Sequence, residues 1–109
     1  MTREDTAQAL VGFDRPLASL RDAVAGLPFD WDGPPLATLR CEDVLSVLAR
    51  WQRGELAPEA VEEWANLVEL RDDLALEPAV ADAIFDLANP ALQGPLAETG
   101  PRLIGQLTL

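Results

Sequence analysis

Carboxylates are the reactive groups this chain has in quantity. Glu59, Glu62, Glu63, Glu69, Asp72 and Asp73 fall in one short stretch. Such groups can ligate Mg²⁺ or Ca²⁺, transfer protons, or present negative charge to a cationic partner. The first two need more than acidity. A hard-cation site needs a cage of defined spacing, and the Asp-x-Asp/Asn-x-Asp/Asn-Gly loop is absent. Proton transfer needs a carboxyl group in a cleft, whereas glutamates on the outer face of a helix are solvated. The chain has no His, which removes Ser–His–Asp and Cys–His catalysis and the usual zinc sites. Cys41 is the single thiol; Glu42 and Asp43 beside it oppose a thiolate, so it reads as structural. No Gly-x-Gly-x-x-Gly or Gly-Lys-Ser/Thr loop offers a phosphate cradle. The expectation is a protein without enzymatic activity, cofactor or metal.

The elements that must carry these residues are helical. A chain of 109 residues supports one domain. Its 49% hydrophobic content is too high for a disordered acidic tail. Ala and Leu far outnumber Val, Ile and Thr, which favours helix over sheet. The fold class predicted is all-α: a compact bundle of four to five short helices with Pro-rich connecting loops, forming a single domain over 1–109.

Pro and Gly mark the boundaries. Residues 1–13 fit either a helix or a mobile arm, since Ala7, Leu10 and Val11 have helical spacing but Gly12 interrupts. Asp14 and Pro16 open a helix carrying Leu17, Leu20, Val24 and Leu27, which Gly26 and Pro28 end. Residues 28–37 form a loop in which Phe29 and Trp31 anchor to the core and Asp30 and Asp32 face water. A helix from about Glu42 to Arg53 follows, with Val44, Leu45, Val47, Leu48 and Trp51 on its apolar face. Pro58 starts the next, with Leu56 and Val61 placed as a hydrophobic staple. Val61, Trp64, Ala65 and Val68 form its buried stripe, and the short link between these two helices predicts an antiparallel hairpin. Pro78 opens a helix that buries Val80, Ala83, Ile84 and Leu87 and turns Asp82 and Asp86 outward, and Asn89-Pro90 stops it. After a loop at Gln93-Gly94-Pro95, Pro101 starts a last helix with Leu103, Ile104 and Leu107.

The formal charge is −11, which disfavours direct contact with nucleic acid or an anionic membrane. Residues 55–86 alone carry ten acids against Arg71, a net of −9. The plain reading is a solvated face that maintains solubility. The sharper one is a docking surface for a basic partner. Arg71 stands alone among these acids and reads as a local clamp to Glu69, Asp72 or a neighbouring helix; exposed, it would instead orient an interface. The N-terminus lacks the apolar segment of a signal peptide, and no apolar run approaches the roughly 20 residues that span a bilayer, so a cytoplasmic location is expected.

The run Asp43-Val44-Leu45 through Trp51, then Gly54-Glu55-Leu56, Val61-Glu62-Glu63-Trp64-Ala65-Asn66 and Arg71-Asp72-Asp73, resembles small acidic helical bacterial proteins. It is similar to the immunity proteins of colicin-like and contact-dependent inhibition systems. That resemblance spans about residues 40–95 and implies an acidic surface that covers a basic nuclease toxin. The expected function is therefore a binding protein that neutralises a basic protein partner through Glu59, Glu62, Glu63, Glu69, Asp72 and Asp73. The alternative is a small structural or regulatory adaptor acting through helix contacts, including as a homodimer. The oligomeric state is open on sequence grounds.

Overall fold

Among the predicted helices, the one beginning at Pro58 shows most directly why the chain folds as it does. In a computed structural model, which describes residues 3–26, 35, 37–71 and 74–108, helix α4 spans Pro58–Glu69. Pro58 stands in its first turn, where its missing N–H removes no helical bond and its fixed φ suits the start. Ala57 supplies no side-chain cap, as its type requires. Val61, Trp64, Ala65 and Val68 are buried together, completing the expected stripe.

Six more helices surround α4 among the described residues. They are α1 (Arg3–Gly12), α2 (Leu17–Ala25), α3 (Cys41–Gln52), α5 (Pro78–Ala88), α6 (Pro90–Gln93) and α7 (Leu96–Thr108). The mostly helical class is as predicted, but the number of helices exceeds four to five. One reason is that residues 3–12 take the helical alternative. Ala7, Leu10 and Val11 are buried there, and Phe13 just beyond is buried at a φ of +51°. A second reason is that Asn89-Pro90 ends α5 and at once starts another turn. The N–H groups of Leu92 and Gln93 both donate to the Asn89 carbonyl oxygen, each at 3.0 Å.

The last helix also starts earlier than Pro101. Glu98 and Thr99 donate to the Pro95 carbonyl oxygen at 2.9 and 3.1 Å, which sets the first turn ahead of the proline. Pro101 lies inside α7 and removes one helical bond. Gly100 before it has no Cβ to crowd the ring. That same glycine lets α7 approach α3 closely: a Cβ at Gly100 would lie 2.6 Å from Cζ3 of Trp51.

A pair of short strands departs from the all-α expectation. β1 (Ala37–Leu39) runs parallel to β2 (Leu74–Leu76), pairing Ala37 with Leu74, Thr38 with Ala75 and Leu39 with Leu76. Three-residue strands are too short to show a period of two, and the loop predicted over 28–37 takes in Ala37. Ala37 and Leu39 are buried and Thr38 is exposed, the alternation a half-buried strand requires. Each strand runs straight into a helix, β1 into α3 and β2 into α5, so the pair aligns two helix starts. Cys41 and Glu77 meet just past the strand ends, with Cys41 Sγ 4.0 Å from Glu77 Oε2. Of the predicted 28–37 loop only Pro35 and Ala37 are described; Phe29, Asp30, Trp31 and Asp32 lie outside the described residues.

The core is built largely from α1, α3, α4 and α5 and includes Trp64, which has no exposed surface. α3 and α4 touch as the hairpin reading expects, yet α4 makes its most extensive contact with α5. A Cα radius of gyration of 13.3 Å matches a packed domain of about this length. No helix among the described residues is long and apolar enough to cross a membrane.

Candidate functional site

The acidic residues divide into paired and unpaired sets once the chain is folded. Three acids of the 55–86 stretch face arginines. Glu55 pairs with Arg53 in the link after α3. Glu63 Oε2 lies 3.2 Å from Arg21 Nη1, which joins α4 to α2. Asp86 Oδ2 accepts from Arg102 Nη2 at 3.0 Å, joining α5 to α7. The outward placement predicted for Asp82 and Asp86 thus holds only for Asp82. Asp86 is turned toward α7, its side chain 16% exposed, because Arg102 stands one turn into that helix beyond Glu98.

Glu59, Glu62 and Glu69 remain without an ion pair among the described residues. They occupy positions three and seven apart on the same side of α4, a row of about 15 Å from first to last by helical rise. Glu59 and Glu69 are exposed and Glu62 is half-buried. Asp72 and Asp73, the other two carboxylates of the predicted surface, lie outside the described residues. Local sequence explains the row. Burial of Val61, Trp64, Ala65 and Val68 fixes the rotation of α4, and the glutamates follow on the opposite side.

Next to the first turn of α4 the surface opens into a groove of about 220 Å³. Glu59, Glu62 and Asp86 edge it, while Val61, Leu87, Pro95 and Leu96 supply apolar walls. Thr99 also faces it, but its hydroxyl already donates to the Pro95 carbonyl oxygen at 3.4 Å. No stretch of sequence marked this groove, because its walls come from α4, α5 and the α6–α7 connection. The available signal was the placement of Pro58, Pro90 and Pro95 at three helix starts, which bring chain ends together there.

A second hollow lies between α4, β2 and α5, lined by Glu69, Leu74, Leu76 and Ile84 together with Arg71. Arg71 is only 6% exposed and is already engaged within the fold, so it does not act as an exposed orienting charge. Among the described residues no group of three or more Cys, Asp or Glu converges as a metal cage. The structure therefore defines a small, mostly helical protein with an acidic row beside an apolar groove. Compared with known proteins, the chain matches no family model, no curated protein and no solved structure.

Proposed function

We propose that the chain is an acidic binding protein that covers and neutralises a basic protein partner, such as a nuclease toxin, in the manner of an immunity protein. The observation that carries this reading is the row Glu59, Glu62 and Glu69, which has no cation of its own among the described residues. Three other acids in the same stretch are matched to arginines, so pairing was open to the fold. Unmatched like charges on one helix repel and weaken folding, whereas a basic partner relieves that repulsion and is steered toward the row. Asp72 and Asp73 follow α4 in sequence and add two carboxylates to the stretch, and Glu63 borders the row while held by Arg21.

Affinity capture from the cells that encode the chain, followed by titration of the purified partner, tests this. A basic partner is expected, with association slowing steeply as salt rises from about 50 to about 500 mM. Capture of only neutral or acidic partners sinks the proposal.

A second reading, the adaptor or homodimer, draws on Phe85. Its side chain lies on α5 beside Asp82 and Asp86 in sequence and is 45% exposed. Light scattering separates the two readings: a stable dimer insensitive to salt supports the adaptor.

A further inference from the structure

We infer that the groove at the start of α4 receives one apolar side chain from the basic partner, carried on a segment whose flanking residues are Arg or Lys. This rests on the acidic-face reading and adds to it that recognition centres on a short motif rather than on a diffuse positive patch.

The lining carries the argument. Val61, Leu87 and Leu96 are at most 8% exposed, and with Pro95 they form walls that offer an occupant apolar contact. Thr99 places no demand on the occupant, because its hydroxyl is satisfied by Pro95. The charge is confined to the rim. Asp86 is held by Arg102, so Glu59 and Glu62 supply the free negative charge. These two stand three residues apart on one helix, with Cβ atoms about 5–6 Å from each other. One extended segment can therefore seat its apolar side chain between the walls while neighbouring cations reach both carboxylates. A second copy of this chain suits the groove poorly, since a net charge of −11 would set like charge against the rim.

The test uses the full chain, labelled with ¹⁵N, and two arginine-rich hexapeptides of equal charge. One has a central leucine and the other has alanine in its place. The leucine peptide is expected to bind at least about tenfold more tightly, a factor that corresponds to about 1.4 kcal/mol. It should shift the amide signals of Val61, Gly94 and Thr99. The Glu59→Gln/Glu62→Gln variant should weaken it several-fold, and Glu59→Lys/Glu62→Lys should abolish it with the melting transition retained. Equal affinity for both peptides, with shifts spread toward Glu69 and Asp82, overturns the groove and leaves the acidic-face reading standing. No binding of either peptide at low salt overturns both.

Discussion

The indole N–H of Trp64 donates to the carbonyl oxygen of Leu10 at 2.6 Å, and this bond ties α1 to α4 through the centre of the core. Leu10 lies in the last turn of α1, where carbonyls lack helical partners. Its oxygen also accepts from the Phe13 N–H at 3.2 Å. Phe13 then stacks on Trp64, with ring centroids 6.0 Å apart, and Arg50 of α3 lies over Phe13 at 5.1 Å. Arg50 Nη1 donates to the Phe13 carbonyl oxygen at 2.8 Å, so three helices meet at one aromatic pair. Trp64→Phe removes the bond and part of the ring, and should lower stability by about 2 kcal/mol in chemical denaturation. An unchanged midpoint would contradict this account of the core.

The contact of Gly100 with Trp51 sets a second expectation. Gly100→Ala brings a methyl group against the indole and should destabilise by about 1–3 kcal/mol. Trp51→Leu makes room for that methyl group. The double variant should therefore lose less than the sum of the two single losses, measured as a coupling in a mutant cycle.

Two further glycines should respond with opposite signs. Gly105 lies in α7 with open space at its Cβ position, so Gly105→Ala should stabilise by about 0.5–1 kcal/mol through helix propensity. Gly54 also has open space but sits at a φ of +80° after α3. Gly54→Ala should lower the melting temperature, by about 1 kcal/mol of stability, because an L side chain disfavours that backbone region.

Glu69 occupies the last turn of α4, where the helix dipole disfavours an anion and no basic residue is present. Glu69→Lys should raise stability by about 0.5 kcal/mol and at the same time slow association with a basic partner. Thermal melting and stopped-flow binding read the two effects separately. A variant that gained stability and bound at an unchanged rate would remove Glu69 from the interface.

Much of this architecture was legible because α3, α4 and α5 each repeat an apolar stripe at helical spacing, and Pro58 and Pro78 mark two of their starts. The row Glu59, Glu62, Glu69 was legible for the same reason, since it is the complement of the stripe on α4. Three-residue strands carry no such pattern. Proline is favoured at a helix start, so Pro101 points to one there, yet the Pro95 carbonyl oxygen accepts from the N–H groups of Glu98 and Thr99 in the first turn of α7. Which acids are neutralised was not legible either. Arg21 reaches Glu63 and Arg102 reaches Asp86 across the fold, and spacing along the chain holds no trace of such pairings.

The parallel register of Leu39 with Leu76 bears on the order in which the molecule assembles. Closing that ladder encloses both α3 and α4, so its entropy is charged against a long loop before any strand hydrogen bond forms. α3 and α4 lie wholly within that loop, so folding them first shortens the flexible chain that the ladder must close. The expected order is that α3 and α4 fold against each other before the strands pair, which φ-values lower at Leu39 and Leu76 than at Val61 and Val68 would bear out.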